Sequence, residues 1–443
     1  MRCNLQWVLT ALTAFTLTRP ASAGDWPQWM GEARDGLWKE TRIVDRIPQD
    51  GLKVLWRVPV GGGYSGPAVV GDRVYVTDYQ KTAGTITNNP GSRDELTGQE
   101  RVLCLNAKTG EVLWKHEYDR PYKLSYPSGP RATPTVADGL VYALGAEGNL
   151  WCLKADSGEV VWSKDFVKDY SAPVPIWGFS GHPLIDGPRL ICLVGGKGSV
   201  AVAFDRKTGE EKWRALSASE SGYAPPSMIE AGGKRQLLVW DADKLNSLDP
   251  ETGAVYWSQD LKPSYGMSIM APQKEGDLLF ASGIGNVGAV FRLDSTRPAA
   301  ERVWEANASK GLAAANVTPL IVDGTVYGAD CQQGAFRAFN LADGKRLWQS
   351  FQPTTGGKRG ASHGTAFLVR NGSRFFLFSE TGDLIEAKLT PTGYEELGRF
   401  HVLEPSQTVF GREVVWSMPA FANQCVYARN DKELVCVSMA ADE

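Results

Sequence analysis

A tight turn followed four residues later by a tryptophan recurs along most of this chain. Its clearest copy is Lys108-Thr109-Gly110 with Trp114. Glycine adopts a positive φ at little cost, so such a turn joins two strands as a hairpin and places the tryptophan on the second strand. From Trp114 onward the copies lie 44 to 51 residues apart. The series comprises Trp56, Trp114, Trp162, Trp213, Trp257, Trp304 and Trp348, and Leu397 takes the position in the last copy.

A period of this length in strand-rich sequence is typical of propeller blades, each a sheet of four strands. We therefore predict an all-β, eight-bladed β-propeller with very little helix. The strand around Val54–Val58 carries a repeat tryptophan without the strands that should precede it, whereas residues 422–440 supply strands and no final tryptophan strand. Pairing the N-terminal strand with the C-terminal blade would close the ring and remove exposed sheet edges.

The N-terminus carries the pattern of a secretory signal. Residues 1–23 contain Arg2, an apolar run over residues 5–17 and the small-residue sequence Ala21-Ser22-Ala23. This pattern predicts a signal peptide cut after Ala23, with an uncleaved anchor as the alternative. No later stretch is apolar and long enough for a membrane span. We expect a periplasmic or secreted protein without an integral membrane segment.

Two domains follow the signal: a leader over residues 24–50 and a propeller over residues 51–443. The leader contains Trp26, Trp29 and Trp38. We predict that it packs on the propeller and covers an apolar patch, and the alternative is that its tryptophans form a binding strip. In the first blade, the polar residues 80–100 predict a surface loop.

Charge and cysteine content limit the classes of function. The net charge is −3 and the pI about 6.0, without a Lys/Arg cluster, which argues against nucleic acid as a partner. Cys104, Cys152 and Cys436 share one position on the third strand of their blades, where a small buried side chain explains them. Cys425 and Cys436 flank a hairpin, which leaves a disulfide between them open in an oxidising compartment.

The repeat and the proline-headed strands resemble the PQQ-type β-propellers, the eight-bladed fold of quinoprotein dehydrogenases and of BamB-like outer-membrane assembly lipoproteins. The leader sequences Trp26-Pro27-Gln28 and Arg34-Asp35-Gly36 are similar to those of a secreted subgroup, as are Val415–Pro419 and Arg429–Glu433. The resemblance covers residues 25–439. This sequence lacks the adjacent cysteine pair and the Cys-x-x-Cys-His haem site of many quinoproteins, and it lacks the lipid-anchor cysteine of the BamB-like proteins. Repeats of this kind indicate fold more strongly than chemistry.

Residues at one position before each blade predict a ring around the central funnel. Seven of them stand three before a blade-start proline, and they mix aromatic with polar side chains: Tyr64, Arg131, Ser180, Tyr223, Ile269, Asn316 and Trp416. Ser362 takes this position in the irregular seventh blade. Such a lining suits a planar polar ligand held by stacking and a few hydrogen bonds. The alternative is that the mouth is polar only because water enters it.

We assign no catalytic residue, and the candidate ligand- or cofactor-binding residues are Tyr64, Arg131, Trp177, His182, Tyr223, Asn316, Asp330, His363 and Trp416. His182 and His363 begin opposite blades, so they could face one ligand but not share one metal ion, and we predict no metal site. We expect His116 and His401 at the surface. Carboxylates at the loops between second and third strands could reach the funnel as calcium ligands or a base, although solvated turn acids are the simpler interpretation: Asp78, Asp241, Asp330, Glu380 and Asp431.

The function that we expect is a binding or assembly scaffold, BamB-like, that holds a small planar ligand or a protein partner at the funnel mouth. We expect a monomer. The alternative, implied by the resemblance, is a PQQ-dependent dehydrogenase that oxidises alcohols or sugars with PQQ and calcium. In that reading a Trp or Tyr stacks on the quinone, Arg131 polarises it, and an Asp accepts the substrate proton.

Overall fold

The computed structural model describes residues 24–357 and 359–441, which form eight antiparallel blades of four strands arranged as a propeller. The predicted all-β, eight-bladed fold is therefore confirmed. The predicted signal peptide, residues 1–23, lies outside the described residues.

The strands follow the order of the repeats along the chain. The first strand is β1 (Val54–Pro59). Blade 1 contains β2 (Ala68–Val70), β3 (Arg73–Ala83), β4 (Asp94–Asn106) and β5 (Val112–Asp119), and β6 (Tyr122–Leu124) also pairs with β4. Blade 2 contains β7 (Thr135–Ala137), β8 (Leu140–Leu144), β9 (Asn149–Lys154) and β10 (Val160–Asp165). Blade 3 contains β11 (Leu184–Asp186), β12 (Arg189–Leu193), β13 (Ala201–Asp205) and β14 (Glu211–Ala215). Blade 4 contains β15 (Ser227–Ala231), β16 (Lys234–Trp240), β17 (Lys244–Leu248) and β18 (Val255–Asp260).

The second half of the ring repeats this arrangement. Blade 5 contains β19 (Gln273–Glu275), β20 (Leu278–Gly283), β21 (Val287–Leu293) and β22 (Ala300–Glu305). Blade 6 contains β23 (Leu320–Val322), β24 (Thr325–Asp330), β25 (Ala335–Asn340) and β26 (Arg346–Ser350). Blade 7 contains β27 (Ala366–Asn371), β28 (Arg374–Ser379), β29 (Asp383–Thr390) and β30 (Gly393–His401). A small hairpin of β31 (Gln407–Val409) and β32 (Arg412–Val414) leads to β33 (Ala420–Ala422), β34 (Cys425–Arg429) and β35 (Glu433–Ser438) of blade 8.

Helix is confined to the connections between blades. The helical segments are α1 (Phe166–Tyr170), α2 (Gln352–Thr355) and a 3₁₀ turn at Ser264–Gly266. Asp165 caps α1 by accepting hydrogen bonds from the amides of Val167 and Lys168, as expected for an N-cap aspartate. Of the helices in the described part of the chain, none has the length and apolar character needed to span a membrane.

The N-terminal strand closes the ring, as predicted. Strand β1 is the outer strand of blade 8 and pairs antiparallel with β35, from Val54 opposite Val437 to Pro59 opposite Glu433. This pairing supplies the fourth strand of the last blade and covers the edge that β35 would otherwise expose.

The repeat tryptophans lie on the outermost strands, and all of them except Trp257 donate an indole hydrogen bond to the next blade. Trp114 of blade 1 donates a hydrogen bond from Nε1 to the carbonyl oxygen of Ala155 in blade 2, at 3.0 Å. Trp257 instead bonds the side chain of Gln236 in its own blade, at 2.9 Å. The bond satisfies the indole N–H while the ring buries apolar area. The same kind of bond to the next blade is made by Trp56, Trp162, Trp213, Trp304 and Trp348.

In five repeats the turn glycine packs against the tryptophan of the preceding blade: Gly110, Gly158, Gly209, Gly253 and Gly344. Gly158 has a φ of 73°, and a Cβ atom added there would lie 2.5 Å from the ring of Trp114. Gly110 faces Trp56 in the same way, at 2.8 Å. The glycine and the tryptophan of the repeat are therefore two sides of one contact between consecutive blades, which explains why they recur together.

Blade 7 lacks the repeat tryptophan, and the prediction that Leu397 replaces it is wrong by one residue. In the other blades the tryptophan pairs with the third strand beside a bulge, as Trp114 does with Cys104. The equivalent residue in blade 7 is Gly398, which pairs with Glu386. The error arises because the hairpin of blade 7 is tighter, with pairing that runs out to the turn itself.

The leader, residues 24–50, fills the space at Gly398. A Cβ atom added to Gly398 would lie 2.9 Å from the Cβ of Ile47, and Ile47 is buried. Its amide also donates to Oε2 of Glu386, at 2.9 Å. A side chain distant in sequence thus occupies the position that a repeat tryptophan has in most other blades.

The leader crosses the side of the propeller that carries the turns between first and second strands. Trp26 pairs with Val69 of blade 1, and Leu37 forms a parallel bridge with Arg370 of blade 7. Trp26 and Trp38 are buried beside Phe421 of blade 8, with ring centroids 5.7 and 5.2 Å away. These two tryptophans cover apolar side chains of the propeller.

Residues 80–100 form an extended hairpin, which corrects the predicted surface loop. Strand β3 continues to Ala83 and β4 begins at Asp94, so only residues 84–93 connect them, and we call this segment the hairpin tip. Leu96 is buried with Tyr79 and Tyr122, and this small cluster stabilises pairing that the polar composition did not indicate.

The third-strand position of the cysteines is confirmed by the strand register. Cys104, Cys152 and Cys436 each pair opposite a repeat tryptophan. The described cysteines are all buried free thiols, including Cys425, which pairs with Ser438 and is therefore only diagonal to Cys436.

Candidate functional site

The centre of the propeller contains a cavity of about 890 Å³, which we call the chamber. Residues that precede the first strand of every blade line it, because the eight innermost strands converge on the axis. All eight residues that the sequence predicted around the funnel line the chamber: Tyr64, Arg131, Ser180, Tyr223, Ile269, Asn316, Ser362 and Trp416. His182, His363 and Trp177 also line the chamber, so Asp330 is the only candidate residue outside it.

Aromatic side chains form two facing groups in the lining. Trp177 and Tyr223 lie with ring centroids 5.7 Å apart, and we call them the first wall. Trp416 lies 6.2 Å from Tyr126 and 6.4 Å from His363. His363 in turn stacks on Phe410 at 5.2 Å, and these four residues are the second wall. The rings present large apolar faces to whatever enters the chamber.

The leader forms the floor of the chamber through Trp29 and Met30. Trp29 stacks on His182 with centroids 5.0 Å apart and an interplanar angle of 12°. Nδ1 of His182 accepts a hydrogen bond from the amide of Thr133 at 2.9 Å, so in the neutral ring Nε2 carries the proton. Burial and the neighbouring Arg34 hold the pKa of His182 well below its ordinary value, and the imidazole is a neutral donor.

Arg34 fixes the leader across the axis. Its guanidinium donates to the carbonyl oxygen of Pro226 at 3.0 Å and to that of Pro183, and its Nε bonds Gln28 at 2.9 Å. Burial lowers the pKa of Arg34 to about 9. These bonds connect the leader to the start of blades 3 and 4 and hold Trp29 in the floor.

The hairpin tip partly covers the opposite end, where Pro90 and Gly91 line the chamber. Asn88 donates from its side chain to the carbonyl oxygen of Thr408, 320 residues away, at 2.9 Å. Arg93 donates to the carbonyl oxygen of Val174 at 2.8 Å. The tip therefore bridges from blade 1 to the connections on both sides of the mouth.

The guanidinium of Arg131 is committed to backbone carbonyl groups. It donates from Nε to Trp177 at 2.8 Å, from Nη2 to Tyr126 at 2.6 Å and Ser125 at 3.2 Å, and from Nη1 to Gly129. It also lies over the ring of Tyr64, 5.1 Å from the centroid. Arg131 therefore holds the first loops of the rim together, and most of its donors face protein rather than the chamber.

Asp330 is part of a buried turn, which corrects its placement in the site. Its carboxylate forms an ion pair with Arg337 at 2.5 Å and accepts a hydrogen bond from the amide of Ala313 at 2.9 Å. It also accepts from the amides of Gln332 and Gln333, both at 3.2 Å. The remaining acids at equivalent loops have similar roles in turns or ion pairs: Asp78 with Arg101, Asp241 with Asn246, Glu380 with Arg412, and Asp431 with Gln407.

The two histidines outside the chamber differ in exposure. His401 is exposed and lies between Asp383 and Glu404, as predicted. His116 is half-buried on the outer strand β5, since its ring packs edge-on against Trp151 at 4.5 Å and burial lowers its pKa. Strand alternation cannot show that Trp151 of the next blade covers it.

Sequence reasoning missed several residues of the lining. Glu220 and Tyr126 lie in connections before blades 4 and 2, and no repeat position marks them. Oε2 of Glu220 and the hydroxyl of Tyr126 are buried without a hydrogen-bond partner among the described residues. Burial raises the pKa of Glu220, and Arg93 opposes the rise. For Trp29, the tryptophan content of the leader was a usable signal.

The sequence of this chain matches one known protein family. The sequence profile of the family described as outer membrane protein assembly factor BamB matches residues 98–297 and 241–443. This chain belongs to that PQQ-like β-propeller family. No curated protein matches the chain.

Solved structures of PQQ-like propellers share the architecture at low identity. BamB from Moraxella catarrhalis is 15% identical with a TM-score of 0.57, and the match covers 88% of this chain and 99% of that chain. A quinohemoprotein alcohol dehydrogenase from Comamonas testosteroni is 13% identical with a TM-score of 0.58, covering 96% and 82%. A second such dehydrogenase, from Pseudomonas putida HK5, is 13% identical with a TM-score of 0.57, covering 95% and 81%. At these identities the likeness shows the fold alone.

The chamber of this PQQ-like propeller is suited to the planar ring of PQQ but not to the negative charge of PQQ. The aromatic walls could stack on a planar quinone. PQQ also carries carboxylates, which proteins bind through unpaired Arg or Lys donors. Arg131 is the only Arg or Lys among the residues that line the chamber, and its guanidinium is already bonded to carbonyl groups. Within residues 24–357 and 359–441, no group of three or more His, Cys, Asp or Glu could hold a metal ion. The lining therefore offers no free cation for the carboxylates of PQQ.

Proposed function

We propose that this protein is an exported binding protein of the PQQ-like propeller family and that the chamber holds a small ligand. The observation that carries the proposal is the enclosure of the chamber, with the leader as floor, the hairpin tip over the mouth and two aromatic walls between them. Concave apolar sites with a few polar groups are the usual form of small-ligand sites. Export rests on the signal pattern of residues 1–23.

A protein partner at the same face is the second candidate. The family description, an outer membrane protein assembly factor, favours it. The mouth also presents two exposed aromatic side chains, Tyr265 with 78% and Phe410 with 46% of their surface accessible. Exposed aromatic residues at a rim are typical of contact surfaces between proteins.

The test is a comparison of binding by the mature protein and variants of the walls. We expect small molecules from a chemically diverse set to raise the melting temperature of the wild type. The shift should be lost in Trp416→Leu and Trp177→Leu, which remove a ring from each wall. Tyr256→Ala is the control, because Tyr256 lies on the outer strand β18. Full retention of binding by both wall variants would contradict the chamber as the site.

The quinoprotein alternative is checked with the same preparation. The protein would be mixed with PQQ and calcium and assayed for dye reduction with alcohols and sugars. We expect neither stoichiometric uptake nor turnover, because the lining lacks unpaired cations for the carboxylates. Turnover would overturn the binding-protein proposal.

A further inference from the structure

The charged groups of the chamber lining are unequal in their pairing. Arg131 and Glu220 are the charged residues in it, since His182 and His363 both have lowered pKa values. Arg131 donates to four backbone carbonyl groups. The carboxyl group of Glu220 accepts no hydrogen bond from the described residues, and its Oε2 is buried. The unmatched charge of the chamber is therefore negative.

Glu220 lies at the edge of the first wall. It precedes Tyr223 by three residues in the same connection, and its Oε2 comes close to Gly266 in the loop after blade 4. Arg93 lowers the pKa of Glu220 through its charge, yet that guanidinium donates to the carbonyl groups of Lys123, Val174 and Pro175. A carboxylate that is partly removed from water without a partner costs free energy, which a ligand cation would offset.

The walls favour the same kind of ligand. The faces of tryptophan and tyrosine rings carry negative charge density and attract cations, most strongly where water is excluded. Tyr223 of the first wall interacts electrostatically with Glu220. The first wall precedes blades 3 and 4, whereas His363 and Trp416 of the second wall precede blades 7 and 8, on the other side of the ring. An aromatic surface beside an unpaired carboxylate is suited to an alkylated or protonated amine.

We propose that the chamber takes an organic cation, with its ammonium group beside Glu220 and its apolar body between the two aromatic walls. The proposal deepens the proposed function and depends on it, because it names the class of ligand for the same chamber. It also separates this chain from relatives that bind an anionic quinone, because here the free charge of the site has the opposite sign.

The test uses isothermal titration calorimetry of the mature wild-type protein with three matched probes: benzyltrimethylammonium, benzyl alcohol and benzoate. We expect the cation to bind at least about tenfold more tightly than the alcohol, a difference of about 1.4 kcal/mol in binding free energy. Benzoate should bind most weakly. Glu220→Gln should lose about tenfold in affinity for the cation and nothing for the alcohol. Glu404→Gln, an exposed acid outside the chamber, is the control.

The affinity for the cation should also depend on pH. Burial raises the pKa of Glu220, so protonation removes the charge at acidic pH and binding should strengthen as the pH rises through that pKa. Arg93 and Tyr223 interact with Glu220 electrostatically, and burial raises the pKa of Tyr223, so this phenol stays neutral over the range. The Glu220→Gln variant should bind the cation with a flat pH profile.

The outcomes separate this inference from the proposed function. Tighter binding of benzoate or PQQ than of the cation, with loss in Trp416→Leu, would overturn the cation and leave a binding chamber. Equal affinity of wild type and Glu220→Gln for the cation would also overturn it. If Glu220→Gln does not fold, the three probes on the wild type still decide the ligand charge. Binding of none of the probes at millimolar concentration, together with no shift in the wider screen, would overturn both proposals.

Discussion

At the scale of single residues, one indole ring connects two neighbouring blades. Trp114 buries its ring over Gly158 and donates a hydrogen bond to Ala155, so packing and hydrogen bonding act at the same place. The residue before it, Leu113, lies in the bulge and is 43% exposed. The two neighbours in sequence therefore contribute to stability very differently.

We expect Trp114→Ala to lower the free energy of unfolding by about 3–5 kcal/mol, because it leaves a cavity between the blades and removes the indole hydrogen bond to Ala155. Leu113→Ala should change it by less than about 0.5 kcal/mol, as is usual for exposed side chains. Chemical denaturation followed by circular dichroism would measure both. Similar losses in the two variants would contradict the clamp between blades.

Single residues also show which part of the site was predictable. The repeat register located Tyr64, Tyr223 and Trp416 because the position before a blade start always faces the axis. The register could not show that the donors of Arg131 are paired with carbonyl groups. Nor could it show that the carboxyl group of Glu220 lacks a partner. Those pairings depend on loops whose course the repeat does not determine.

At the scale of elements, the leader is an integral part of the propeller. Ile47 fills the tryptophan position of blade 7, Trp29 forms the floor of the chamber, and Arg34 bonds carbonyl groups of blades 3 and 4. The same short segment thus stabilises one blade contact and closes one end of the central cavity.

We expect Ile47→Ala to destabilise the protein by about 2–5 kcal/mol, the usual cost of truncating a buried Ile. Leu37→Ala in the same leader should have a small effect, because Leu37 is 38% exposed. The melting temperatures of both variants would be compared by calorimetry. An unchanged melting temperature for Ile47→Ala would show that the leader contributes nothing at blade 7.

At the scale of the whole molecule, the ring is held closed by one strand from the other end of the sequence. Strand β1 pairs with β35, and Trp56 on β1 donates to Ala107 of blade 1, so the closing blade has the same contact as the others. Without β1 the edge of β35 would be exposed, and the contact with blade 1 would be lost.

We expect a chain that begins after Pro59 to aggregate or to dimerise through the open edge of β35, as measured by light scattering after size-exclusion chromatography. The control is full-length protein cut at an inserted protease site between Asp50 and Gly51, where strand pairing should keep the ring closed. A monomeric truncated chain with the wild-type melting temperature would contradict closure by β1.

The sequence by itself determined the number of blades, the strand order, the closure of the ring and the positions that face the axis. Each of these follows from local turn chemistry repeated at one period, and a period acts on every blade alike. Only the tertiary structure decided that the leader forms the floor of the chamber and that the polar residues 80–100 extend over its mouth as a hairpin. It also decided that Glu220 is the unpaired charge of the chamber. These features join residues far apart in the chain, and their free energy comes from packing and hydrogen bonds that only the closed ring brings together.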